Sequence, residues 1–242
     1  MGSLAAGYWR VTRAQTSAAR RLAGITGLLC VWVALDWPVG ALGTGYLASV
    51  HAVQFLLLGM VAPPLLLLGV PASALEALAR KRALHGLVSV LTNPLPTMVA
   101  FTTVMVATHT PAVVDGLMVS QLGAFVLDFA WLASGLAFWW PVVCSVPERP
   151  RFGPPLHMLY LFLGTIAHQF IGMWLMLAEF PVYRVYELAP PFSGLSPRTD
   201  QQIAAGVFIL FGGLLVIAAI TVVFFRWQGS GAEIEEYPRR RL

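Results

Sequence analysis

The sequence predicts an all-α polytopic membrane protein. It should hold about six transmembrane helices and one interfacial amphipathic helix in a single integral membrane domain, residues 1–242. Three observations predict this. Hydrophobic residues make up 58% of the chain and charged residues 11%, where a soluble domain carries about 25% charged residues. The apolar residues gather into six runs of roughly the 20 residues that a helix needs to cross a bilayer. Finally, all the Lys and Arg residues except Arg184 and Arg198 fall in alternate connections between those runs.

The elements follow in order. Residues 1–21 hold Arg10, Arg13, Arg20 and Arg21 and no cleavage site after a short apolar core. They read as a cytoplasmic lead-in rather than a signal peptide. The spans are expected at residues 22–37, 46–70, 95–108, 121–143, 155–177 and 202–225, followed by a tail over 227–242. Between spans two and three, PASALEALARKRALHGLVSVLTNP repeats leucine at helical spacing around Arg80, Lys81 and Arg82; this is the interfacial helix. The loop after span four adds Arg149 and Arg151, and the C-terminal segment Arg226, Arg239, Arg240 and Arg241. By the positive-inside rule both termini are cytoplasmic. Pro63 and Pro64 remove ladder donors from span two and predict a kink there. Trp139 and Trp140 are expected to anchor span four at the inner interface.

Composition also excludes functions. The basic residues lie in short topological blocks, so they give no nucleic-acid signal. Cys30 and Cys144 form no C-x-x-C pair and read as packing residues. No internal repeat marks an inverted-repeat transporter. No Gly-rich phosphate loop, H-E-x-x-H or Ser/His/Asp set supports hydrolytic chemistry, and the chain is not expected to be an enzyme.

With that orientation the polar residues converge on the outer half. His51 and Gln54 open span two. Met105 and His109 close span three, and Asp115 follows. Asp128 lies about 10 Å into span four at 1.5 Å per residue. His168 and Gln169 lie within span five, with Met173 and Met176 toward its outer end, and TDQQ begins span six. Ionisable groups within spans usually face the bundle interior and mark a functional path. Imidazole and thioether together suit copper. His51, His109, Asp128, His168 and Met105 are therefore the candidate metal ligands. Each has a plain alternative, since a lone intramembrane histidine also serves as an interhelical hydrogen bonder.

Several segments together resemble the multi-span CtaG family of bacterial cytochrome c oxidase assembly factors of the caa type. They are HAVQ with LLLGMVAPPLLLLG, then H-T-P-A-V-V-D, GLAFWWPVV, Y-x-x-Y and TDQQ, in this order and spacing. The resemblance covers about residues 36–213. It implies a multi-pass protein of the bacterial inner (plasma) membrane that matures a haem-copper oxidase at the copper step, with oxidase subunits as partners. On the family's pattern His51, Gln54, His109, Asp115, Asp200, Gln201 and Gln202 are functional positions. The chain departs from that pattern in carrying Phe55 for a second histidine, Val114 for a tyrosine, and Ala124, Leu127 and Asp128 where a histidine and a Glu-His pair are common. His168 is an additional imidazole. A copper transporter, a bis-histidine membrane cytochrome and a metal-free structural subunit of a respiratory complex are the alternatives.

Overall fold

In the computed structural model, residues 17–144, 153–190, 192 and 194–239 are described. Most of the lead-in, with Arg10 and Arg13, lies outside the described residues, as do Arg149, Arg151, Arg240 and Arg241. No strand occurs among the described residues, and the protein is a multi-pass helical membrane bundle.

Helix α1 (Ala18–Leu35) is capped by the Ser17 hydroxyl, which accepts from the Arg20 N–H. A short α2 (Val39–Gly45) leads into α3, Ala48–Gly69. After α4 (Ala72–Arg80) come a 3-10 turn (Arg82–Leu84) and α5 (His85–Leu91). Next are α6 (Pro94–Thr108), α7 (Pro111–Leu117), α8 (Gln121–Val143) and α9 (Pro154–Leu177). A four-residue α10 (Arg184–Glu187) precedes α11, built from Pro197–Gly206, Val207–Gly212 and Gly213–Arg239.

Five of these helices are long and apolar enough to cross a membrane, namely α1, α3, α8, α9 and α11. Helix α6 has 15 residues, about 22 Å at 1.5 Å each, short of a roughly 30 Å hydrocarbon core. It completes a sixth span only with Arg82–Leu91, from which it is bent by 75°. The interfacial helix expected between spans two and three is thus broken into pieces. Lys81 is extended, ending α4. Asn93 is extended because it precedes Pro94, and its side chain accepts from the Leu95 N–H to cap α6.

Helix α3 is the centre of the bundle: 61% of its most apolar stretch is buried, against 17–39% for the other spans. It packs on α1, α8 and α11. The kink expected from Pro63 and Pro64 takes the form of a π-helical segment, Leu56–Val61, just before the prolines. Prolines remove the donors that would serve the Gly59 carbonyl, at four residues on (Pro63) and at five (Pro64). That carbonyl faces Gly135 of α8, where a Cβ would lie 2.3 Å from the Gly59 oxygen and 2.8 Å from Pro63 Cγ. Only glycine lets the two backbones approach so closely. A second π-helical segment, Val207–Gly212 of α11, packs against the first, with Phe55 and Phe208 5.5 Å apart.

Two expectations change. Trp139 and Trp140 are buried within the bundle, 5% and 7% exposed, rather than facing the lipid interface. They follow Phe138, which stacks on Tyr160 of α9 and on Phe101 of α6; with Phe138 to Pro141 all buried, protein surrounds this end of α8 on every side. The Tyr160 hydroxyl donates to the Phe138 carbonyl at 2.7 Å. The last span also begins earlier and ends later than residues 202–225, since α11 is helical from Pro197 to Arg239.

The Gly59–Gly135 contact gives a test. Gly135→Ala forces a Cβ into a backbone oxygen and should cost about 1–3 kcal/mol or more. Gly206→Ala, where nothing lies within 4 Å, should be neutral or mildly stabilising. Thermal unfolding in detergent compares the two.

Candidate functional site: two buried imidazoles under a tyrosine cap

The site begins with a helix end. Leu47, at the N-terminus of α3, offers no side-chain cap. Asp200, in the first turn of α11, supplies one from across the bundle. Its carboxylate accepts from the Ala48 N–H at 2.6 Å, from the Ser49 N–H at 3.2 Å and from the Ser49 hydroxyl. This satisfies donors that a helix start leaves free and fixes the rotation of α3, so that His51 points into the bundle with 2% exposure. Gly43 of α2 packs against this turn: a Cβ there would lie 3.2 Å from the His51 backbone nitrogen and 2.6 Å from Gln54 Oε1.

His109 is placed by sequence punctuation. Thr110 precedes Pro111 and is extended, as the residue before proline prefers. Helix α6 therefore stops at Thr108, and His109 turns inward, also 2% exposed. The His51 and His109 rings are 5.8 Å apart, edge to face. Trp131 of α8 lies 5.0 Å from His51 and stacks on His109 at 5.8 Å. Phe55 and Phe208 close on His109 at 4.9 and 5.1 Å.

Hydrogen bonds fix the state of His109. Its Nδ1 lies 2.8 Å from the Met105 carbonyl and 3.3 Å from the Thr108 hydroxyl oxygen. A carbonyl only accepts, so Nδ1 carries the proton. Thr108 is itself held, accepting from the Trp131 indole at 2.9 Å and donating to the Val104 carbonyl at 2.7 Å. The Nε2 of His109 is left as a bare lone pair, buried and without a partner. Both ring nitrogens of His51 are likewise buried and make no well-formed hydrogen bond; the acceptor nearest them, the Gly43 carbonyl, already takes the Tyr186 hydroxyl. Such groups cost about 1–3 kcal/mol each when left unsatisfied. A fixed tautomer with a free second nitrogen is the usual condition of a metal-ligating histidine.

The remaining candidates separate. Met105 is fully buried, and its carbonyl orients His109. Asp128 is half-buried and accepts from Gln54 Nε2 at 2.9 Å. His168 is fully buried with both nitrogens unpartnered, and its ring lies against Gly212. Among the described residues, no three His, Cys, Asp or Glu side chains gather closely enough to hold one ion. His51 and His109 thus meet as a pair, one turn from the Gln54–Asp128 contact, without Asp128 or His168 completing a set. Where the resemblance implied a second histidine, Phe55 occupies the His109 pocket.

The segment between α9 and α11 roofs the pair. The Tyr183 hydroxyl donates to the His109 carbonyl at 2.9 Å and the Tyr186 hydroxyl to the Gly43 carbonyl at 2.6 Å. The Tyr186 ring lies 5.7 Å from His51. Asp115 holds this segment by accepting from the Val185 N–H at 2.9 Å. Gln201 accepts from Val182 at 2.6 Å and donates to the Leu175 and Phe180 carbonyls. Gln202 is half-buried. The Y-x-x-Y motif signalled both tyrosines without their role; Trp131, Gly43 and Ser49 carried no signal beyond lying in a span or a connection.

Burial, then the Asp115 charge, hold the Tyr183 phenol well above its ordinary value. Burial does the same for Tyr186, reinforced by Tyr183. A raised phenol contributes stability in full below its unfolded pKa of about 10 and loses it as pH climbs through the higher folded value. Proteolysis of residues 178–190 should therefore accelerate as pH rises above about 10. Tyr183→Phe/Tyr186→Phe should be cut about 30-fold faster already at neutral pH, from the loss of two hydrogen bonds worth about 1 kcal/mol each, and should lack the alkaline step. Separately, Asp200→Ala should cost about 1–3 kcal/mol by freeing the buried N–H groups of Ala48 and Ser49. Asp200→Asn, which still accepts, should cost less; unfolding in detergent reads both.

Searches of curated proteins and of solved structures gave no match. The family model of the cytochrome c oxidase caa3 assembly factor (Caa3_CtaG) matches residues 4–230. That span contains the α3 start, the histidine pair and the tyrosine cap, and the chain belongs to the Caa3_CtaG family of cytochrome c oxidase assembly factors.

Proposed function

We propose that this assembly factor acts at the copper step of oxidase maturation, with His51 and His109 handling the ion as cargo on the outer side of the bacterial plasma membrane. The supporting observation is the pair of buried imidazoles whose rings lie 5.8 Å apart with unpartnered nitrogens. Imidazole is a good copper donor. One ion shared by two imidazoles at about 2 Å per bond fits a centroid separation of this size.

Two donors without a third favour a held ion that leaves again. A client ligand entering the open coordination position displaces one imidazole at a time, so the ion is never free. The tyrosine cap excludes water from the pair and, once lifted, gives the client access. Met105 and Thr108 keep His109 in the tautomer that offers Nε2, while Asp200 keeps His51 opposite. Nothing in this reading needs covalent catalysis by the chain. The cytoplasmic placement of both termini belongs to the same proposal and rests on the distribution of Lys and Arg.

The experiment combines a binding and a cellular readout. The purified protein is titrated with Cu(I) against a chromogenic chelator. His51→Ala/His109→Ala should lose at least about 100-fold in affinity, since each of the two lost donors removes more than about 1.4 kcal/mol, while His168→Ala should keep it. In a deletion strain, oxidase activity should fall, recover with added copper or the wild-type gene, and stay low with the double variant. Equal copper binding by wild type and double variant, or full complementation by the double variant, would overturn the copper role and leave a scaffold. Unchanged oxidase activity with copper uptake altered would point to a transporter.

A further inference from the structure

At the end of the bundle away from the histidines, five helices leave a cleft of about 430 Å³. Its walls are the start of α1, the end of α3 at Leu67 and Leu68, Leu75 of α4, the last residue of α8, Val143, and Arg226 of α11. We infer that this cleft binds the headgroup of an anionic phospholipid, with Arg20 and Arg226 on the phosphate and the apolar walls against an acyl chain.

Charge is the first argument. The charged residues among the described lining are both arginines, and neither has an acidic partner among the described residues. A guanidinium presents a planar fork that matches phosphate oxygens. Arg20 is already oriented, since its Nη1 donates to the Val70 carbonyl at 3.2 Å. Its other N–H groups remain for a ligand. Among the described residues, Arg226 has no hydrogen bond competing for it.

Depth is the second. Arg20 is in the first turn of α1, and Val70 and Val143 mark the ends of α3 and α8. Arg226 follows the exposed Phe225 and precedes Trp227 near the end of the apolar stretch of α11. These ends lie where the hydrocarbon gives way to water, the level of lipid phosphates and of interfacial tryptophan. Basic pockets between spans at that level are suited to anionic headgroups. The third argument is the wall itself. Free phosphate has no use for Leu67, Leu68, Leu75 and Val143, whereas a phospholipid brings both chemistries in one molecule.

The test uses the full-length protein in detergent, titrated with phosphatidylglycerol or phosphatidylcholine and read by native mass spectrometry. Phosphatidylglycerol should bind at least about tenfold more tightly. Arg226→Gln, which breaks no internal hydrogen bond, should weaken it about fivefold, the worth of one interfacial arginine. Arg20→Gln/Arg226→Gln should weaken it about 25-fold, while Arg82→Gln at the same end changes nothing. Excess inorganic phosphate should leave the lipid bound. Equal affinity for the two lipids, an Arg226→Gln value equal to that of the wild type, or displacement by phosphate would each overturn the inference.

Discussion

The carboxylate of Asp200 on the N–H groups of Ala48 and Ser49 is the contact from which the rest of the site follows. A helix start has donors with no intrahelical acceptor, and in a membrane protein water is not there to replace one. Leu47 cannot serve them. The chain solves this across about 150 residues of sequence, so the first turn of α11 must lie against the first turn of α3. That docking sets His51 one turn below the clamp and brings Gln201, the next residue of α11, to the roof segment. One electrostatic requirement thus couples the central helix, the last helix and the loop over the site.

Below the clamp, the same rule for backbone groups acts in reverse. Pro63 and Pro64 withdraw donors from the ladder of α3, and the helix responds by widening over Leu56–Val61. Backbone freed at membrane depth is tolerated only against protein, which is why Gly135 has to bring α8 into contact there. Helix α8 in turn carries Trp131, whose indole holds Thr108 and whose ring stacks on His109. The kink and the imidazole pair are therefore parts of one packing arrangement. Lipid supplies no hydrophobic drive between helices, so close contacts of this kind carry the association.

These features were legible in the sequence to different degrees, for physical reasons. Spans show because length and apolarity are local properties, and the gathering of His51, His109 and Asp115 at one end shows because loop charge fixes alternation. What residues 200–202 do was hidden, because a carboxylate seeking a helix start on another element leaves no local pattern. The aromatic rule failed for Trp139 and Trp140 because it counts residues near an interface and says nothing of whether protein or lipid surrounds that end of α8. Span three was found over nearly its whole helix, which Asn93-Pro94 opens and H-T-P stops, but the amphipathic segment before it was read as one continuous helix where the chain forms short pieces. The Asn93-Pro94 step that bends it is a boundary signal whose angle depends on packing.

The two ends of the bundle differ in how they treat charge and donors, and this difference orders their roles. At one end, lone pairs on His51 and His109 are buried, unpartnered and roofed by phenols that bond to backbone instead of to imidazole. Had Tyr183 or Tyr186 donated to a ring nitrogen, the unsatisfied cost would vanish and so would the open donor. The cap is anchored by Asp115 and Gln201 beside the pair rather than through it, so it can lift without first breaking a bond to either ring. At the other end, Arg20 and Arg226 stand exposed over an apolar cleft with no carboxylate among the described residues to neutralise them. On the proposed copper role, keeping the arginines and the open imidazoles at opposite ends would spare the held cation the repulsion of the guanidinium groups, which a shared end would impose.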